Sequence, residues 1–287
     1  MKLKNTLLLF LFLISSFCYS QITKPSLSPK IKTTQQVGLA NFTFEYGQPS
    51  AQNRKIFGSL IPYKKLWRTG ANAATKFTVD RDIKLSGNPI PSGTYGLYTI
   101  PGKKEWTIII HKNSKLWGAG GYNKENDLLR FKVPSIPLKD TLETLTIHFE
   151  NFNTNGADLV IAWENTKVKI PVFVDSDKAI FEEIETKIIK NTTGKIHPQT
   201  YFDAAQFYYH KNVKLDQALS WFSKAAELRP NAYWYEYYKG ELALYMKKYD
   251  IAKESGTKCL NASKNSKSSD YGYIAKCSLL LQAIEDK

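Results

Sequence analysis

The sequence is poor in the residues from which most active sites are built. Its 287 residues include three cysteines and four histidines. The histidines (His111, His148, His197 and His210) have no pair at helical ligand spacing. A zinc centre takes three or four arranged protein ligands, and no motif here supplies such a set, so no metal or other cofactor is expected. No two cysteines form a CxxC pair, which removes support for a dithiol redox site or a zinc–thiolate site. There is also no G-x-S-x-G nucleophile elbow. Ser92-Gly93 belongs to a Pro/Gly turn, and no histidine can be assigned to Ser92 as its base. Beyond the N-terminus there is no long apolar run, so no integral membrane span is expected after that segment.

The N-terminus reads as an export signal. Lys2 and Lys4 precede the apolar run Leu7 to Ile14, and Cys18-Tyr19-Ser20 leads to Gln21, with a small residue at the cleavage position. This run is shorter than the roughly 20 residues of a membrane span. Phe17 stands where a lipoprotein signal wants a small residue. Residues 1–20 are therefore expected to be a signal peptide cleaved after Ser20, and the mature protein periplasmic or secreted. There Cys259 and Cys277 are candidates for a local disulfide. Net charge is +14, or +12 without Lys2 and Lys4. That balance suits an acidic glycan, a peptide or an envelope protein partner. Nucleic acid is not expected, because the lysines are mixed with acids and no nucleic-acid signature is present.

From about residue 25 to 174 the apolar period is two. Phe42, Phe44 and Tyr46 share one strand face. Trp106, Ile108 and Ile110 share another, as do Leu145, Ile147 and Phe149, then Leu159, Ile161 and Trp163, and finally Val168, Ile170 and Val172. Turns at Ser86–Pro89, Pro91–Gly93 and Pro101-Gly102 separate strands. Short strands without long helices between them predict an all-β sandwich or a partly closed barrel, the sandwich preferred. His111 and His148 have the opposite parity to their apolar neighbours and are expected to point away from the main core.

Residues 54–72 are the least strand-like part and the richest in recognition chemistry. Trp67 offers an apolar plate, Arg68 an anion-complementary fork, and Thr69 and Asn72 directional hydrogen bonds. Trp117 follows in Lys115–Gly118, with Tyr122, Asp127 and Arg130 downstream. Convergence of these loops would line a cleft for a carbohydrate or an acid, with Trp67, Arg68, Thr69, Asn72, Trp117 and Arg130 as ligand-binding candidates. The plain alternative has Trp67 covering a core edge and Arg68 paired with Asp127 or Glu164. Asp127 and Glu164 are also weak catalytic candidates, since a glycosidase-like pair needs carboxylates roughly 5–10 Å apart. An envelope hydrolase acting on a glycan or related polymer is thus the alternative to a noncatalytic binding or scaffold protein.

Arg54, Phe57-Gly58, Pro62, Trp67-Arg68-Thr69-Gly70-Ala71-Asn72 and Ala74-Thr75 together resemble the signature of the DUF2911 family, exported proteins common in Bacteroidetes. Ile90–Tyr95, Ile100–Gly102, Glu105–Ile108 and Trp117-Gly118 extend the likeness, which covers about residues 25–172. Lys64-Lys65 depart from it, standing where a glycine is expected. The resemblance implies a domain boundary; it brings no activity and no catalytic residues.

After Val174 the period becomes helical. Asp175 or Ser176 is placed to cap a helix carrying Ile180, Phe181, Ile184 and Ile188, and residues 175–198 read as a connecting helix and linker. Residues 199–287 resemble degenerate tetratricopeptide repeats, an all-α region of helical hairpins. Ala218 and Ala252 stand 34 residues apart, the expected repeat length. Tyr273, Ile274, Cys277, Leu280 and Leu281 are the expected packing side of a terminal helix. Such a tail either supports the fold or binds a protein partner.

Overall fold

The computed structural model describes residues 24–192, 194–267 and 269–287. The expected leader, residues 1–20, lies outside the described residues. The chain divides into two compact units at Ser176/Asp177.

The first unit is a nine-stranded antiparallel sheet, open rather than closed, in the order β1-β2-β3-β6-β7-β8-β9-β4-β5. Its strands are β1 (Lys30–Val37), β2 (Ala40–Gly47), β3 (Ala71–Val79), β4 (Ile83–Leu85), β5 (Asn88–Ile90), β6 (Gly93–Ile100), β7 (Glu105–His111), β8 (Asp127–Asn153) and β9 (Gly156–Phe173). β8 links the two halves, pairing with β7 as far as Pro134 and with β9 from Ser135 onward. Its register shifts after Pro137, a residue with no N–H to give to a ladder.

Ring geometry shows how the sheet folds. Phe42 of β2 and Phe149 of β8 are four strand positions apart, which is about 19 Å along a flat sheet. Their ring centroids are 5.1 Å apart. The sheet therefore curls over and buries one core between its halves. Phe42, Phe44, Trp106, Ile108, Leu145, Leu159, Ile161, Trp163, Val168 and Ile170 all lie in that core at 2 % exposure or less. At the seam, the segment after β2 meets the far half of β8. Ala51 N–H donates to Glu143 O at 2.7 Å and Leu145 N–H to Pro49 O at 3.0 Å, while Ile147 N–H donates to the Tyr46 hydroxyl at 3.2 Å.

Two strands depart from the sequence reading. β1, with the sequence KIKTTQQV, is largely exposed along its length and gives no apolar alternation to read. β3 starts at Ala71, inside the stretch expected to be least strand-like, because backbone pairing with β2 and β6 overrides the weak propensity of Ala71–Ala74.

The second unit holds six α-helices among the described residues: α1 (Ser176–Ile184, continued by a π-helical turn Glu185–Ile189), α2 (Pro198–His210), α3 (Leu215–Leu228), α4 (Tyr233–Tyr245), α5 (Tyr249–Lys264) and α6 (Tyr273–Glu285). From α2 onward each helix packs against the next. Small residues allow the close crossings. Ala218, Ala225, Ala243 and Ala252 are fully buried, and a Cβ on Gly240 would lie 2.8 Å from Leu280 Cδ2. Cys259 of α5 and Cys277 of α6 are joined in a disulfide with Cα atoms 6.0 Å apart. Two residues expected on packing faces are instead exposed, Phe181 at 38 % and Ile274 at 37 %. A three-to-four period leaves such flanking positions ambiguous, and neighbouring helices settle them. Among the described residues, no helix is long and apolar enough to cross a membrane.

Candidate functional site

The Trp67–Asn72 segment alternates between the two faces of the sheet. Trp67 exchanges backbone hydrogen bonds with Thr99, N–H to O at 2.8 Å in one direction and 2.9 Å in the other. That short bridge imposes a strand-like period of two. Trp67 points inward, stacks on Trp163 with centroids 6.1 Å apart, and donates its indole N–H to Gly70 O at 3.0 Å. Thr69 also lies inside, fully buried, with a φ of +56° and its hydroxyl donated to Thr99 Oγ1 at 3.1 Å. Trp67 and Thr69, expected as ligand contacts, are thus placed in the core.

Arg68 points the other way, to the outer face. There the segment between β7 and β8 folds back over the sheet. Leu116 and Tyr122 pack on Ala74, Tyr98 and Ile109 to form a small second core. Ala74 N–H donates to Leu116 O at 3.1 Å, and the Tyr98 hydroxyl donates to Gly118 O at 3.1 Å. The two loops singled out in the sequence do converge. A Cβ built on Gly118 would lie 3.7 Å from Arg68 Nη1 and 3.8 Å from the Asn72 carbonyl oxygen. Asn72, at φ +63°, donates its side-chain amide to Ser28 O at 3.4 Å. Beside them Trp117 is 74 % exposed.

Arg68 is the unusual group of this cluster. Its Nε is buried and has no hydrogen-bond partner, and no carboxylate among the described residues pairs with it. Its charge is felt locally: burial pushes the Tyr98 phenol above its ordinary range, and the Arg68 cation pulls in the opposite direction.

Both acids that might have neutralised Arg68 are engaged elsewhere. Asp127 accepts the Tyr122 hydroxyl at 2.7 Å and the Arg130 guanidinium at 2.8 Å, and Arg130 Nη2 also donates to the Tyr122 oxygen at 2.7 Å. Burial first, and then the hydrogen bond to Asp127, push the Tyr122 phenol up to about 12. Arg130, a candidate ligand contact, is thus held by this trio. Glu164, at φ +52°, accepts the backbone N–H groups of Ile56 at 3.0 Å and Phe57 at 3.2 Å. Asp127 opens β8 opposite His111, whereas Glu164 faces Leu142 of β8, fifteen positions further along (142 − 127). The two carboxylates sit on different strands, Asp127 on β8 and Glu164 on β9, and each has its own hydrogen-bond partners. Among the described residues no group of three or more His, Cys, Asp or Glu is placed to hold a metal ion.

Tyr98 and the burial of His111 escaped the sequence reading. His111 points away from the main core, yet the folded-back loop buries it to 1 % exposure. It lies beside Tyr98 and Tyr122, with Nδ1 3.0 Å from Asn113 O and Nε2 3.1 Å from Asn123 O. The available signal was Ile108-Ile109-Ile110: three apolar residues in a row mean that both faces of a strand are covered.

The fold is that of an open antiparallel β-sheet domain with the loop between β7 and β8 packed over its outer face. The chain belongs to the family described as "Protein of unknown function (DUF2911)", whose model matches residues 28–172. No curated protein matches the chain. Among solved structures, one titled "Crystal structure of PcrH in complex with the chaperone binding region of PopD" is 13% identical. It covers 39% of this chain and 77% of that one, with a TM-score of 0.32, and a likeness of that size carries no functional weight.

Proposed function

We propose that this is an exported, noncatalytic binding protein, periplasmic or secreted, whose β domain takes an anionic ligand at the outer-face loops. The reading rests on Arg68. A guanidinium with a buried, unpartnered Nε is costly to desolvate unless an anion completes it. Asn72 and the loop bearing Trp117 flank it, and they offer a polar group and an exposed aromatic plate. A carboxylate on a peptide or a glycan has the two-oxygen geometry that suits an arginine fork. Residues 177–287 form the accompanying scaffold, which we read as degenerate tetratricopeptide repeats open to an envelope protein partner. The 34-residue offset of Ala218 and Ala252 supports this, as does the complete burial of both.

Trp117 supplies the test. Four of the other tryptophans are buried at 5 % exposure or less, so quenching by a soluble agent reports mainly on Trp117. Titration with acidic peptides is expected to protect Trp117 and shift its emission. Arg68→Gln is expected to abolish that response without changing the unfolding midpoint by more than a few degrees. Equal responses from wild type and Arg68→Gln, or no response from either protein, would reject the site.

A further inference from the structure

A second basic feature lies on the β domain and does not depend on Arg68. The turn Pro101–Lys104 joins β6 to β7, and the Tyr63–Lys65 segment lies beside it. Lys64 N–H donates to Pro101 O at 2.8 Å, with Lys64 in the left-handed region at φ +61°. A Cβ on Gly102 would lie 2.4 Å from Glu105 O, so only glycine lets the turn close and present Lys103 and Lys104 side by side. These elements enclose a groove of about 660 Å³ lined by Lys64, Lys103, Lys104 and Lys132 against one acid, Glu105. Glu105 is already paired with Lys132. Lys64, Lys103 and Lys104 have no carboxylate partner among the described residues. The floor is partly apolar, formed by Tyr63, Ile100 and Pro101, and Lys103 Nζ lies 6.0 Å from the Tyr63 ring centroid.

We infer that this groove is a binding site for an acidic oligosaccharide. Three unpaired cations around a single concavity raise the local concentration of anions. The shape and floor select among them. A flat bilayer surface does not enter a concave groove, and a lone phosphate has no use for its length. A chain of acidic sugars does both: the C–H faces of its rings lie on Tyr63 and Ile100, and its carboxylates or sulfates reach the lysine ammonium groups.

The test uses the mature full-length protein and oligogalacturonate, measured by calorimetry, with neutral dextran, inorganic phosphate and anionic phospholipid vesicles as the other arms. Lys64→Gln/Lys103→Gln/Lys104→Gln is compared with Lys253→Gln/Lys264→Gln/Lys267→Gln, which removes the same charge from the helical unit, and with Arg68→Gln. Saturable binding of oligogalacturonate is expected. The groove variant should weaken it by about tenfold or more, and the other two variants by less than about twofold. Tyr63→Leu should also weaken the oligosaccharide. Equal losses from the two triple variants would mean diffuse attraction and overturn the proposal, as would tighter binding to vesicles or phosphate. Loss in Arg68→Gln alone would place the oligosaccharide at the outer-face loops instead.

Discussion

The Glu164 carboxylate accepts the backbone N–H of Ile56 at 3.0 Å, across 108 residues of chain. Its second oxygen takes the N–H of Phe57 at 3.2 Å. Together they fasten the start of the 56–61 turn to β9. Glu164→Ala should leave both amides without their acceptor, at about 1–3 kcal/mol for each amide that water does not reach. Glu164→Gln keeps one acceptor oxygen and should cost less. Denaturant unfolding of the two variants checks the order, and equal stabilities would show that the carboxylate does not hold the turn.

Trp67 gives a sharper test of its inward position. Trp67→Ala should destabilise the protein by about 3–5 kcal/mol through lost packing and the cavity left behind. Trp67→Phe should cost less, losing mainly the indole N–H bond to Gly70. An alanine variant as stable as wild type in urea would contradict burial against Trp163.

Glu150 predicts a response to acid. A hydrogen bond from Lys169 holds its carboxyl down to about 2, against the opposing effect of burial; His148, Lys167 and the Lys169 charge add to the lowering. The folded pKa is depressed, so this stabilisation is present above the unfolded value of about 4.3 and is lost as pH falls toward about 2. Thermal midpoints measured from pH 6 to pH 2 should fall more steeply for wild type than for Glu150→Gln. Parallel curves would remove Glu150 from the account.

The Cys259–Cys277 bond closes a short loop, with a sequence separation of 18. Constraining a loop of that size in the unfolded chain is worth roughly 3 kcal/mol. Reduction, or Cys277→Ser, should lower the unfolding midpoint of the helical unit by several degrees. Intact mass should show no free thiol in the oxidised mature protein and a first residue of Gln21. Two free thiols in protein purified without reductant would contradict the bond.

Much of the sheet was legible because its inner faces carry an unbroken alternation. Phe42 and Phe44, Trp106 to Ile110, Leu145 and Ile147, and Val168 and Ile170 all point where period two places them. What escaped was pairing and cover. Nothing in Asp127–Asn153 announces one strand serving two neighbours, since its prolines read locally as breaks. The candidate site was half legible. Composition marked the Trp67–Asn72 segment but not its alternation, which comes from a bridge to Thr99, thirty-two positions away (99 − 67). That bridge sends Trp67 and Thr69 inward and leaves Arg68 outside. The plain alternative, Arg68 paired with Asp127 or Glu164, is not what the structure has, because both acids are engaged by other groups. Arg130 and Tyr122 hold Asp127, and the backbone amides of Ile56 and Phe57 hold Glu164.

β1 ends the sheet on one side, and the polarity that concealed it from a search for apolar alternation has a purpose there. An open sheet keeps a row of unpaired amides and carbonyls along its outermost strand, ready to template another chain. Lys32 repels a second copy approaching in register, Lys30 being paired with Glu45, and the Thr33–Gln36 run gives it little apolar surface to bury. Valine at Thr34 and Gln36 would make this border adhesive, and the protein would then be expected to aggregate through an edge that no described strand covers.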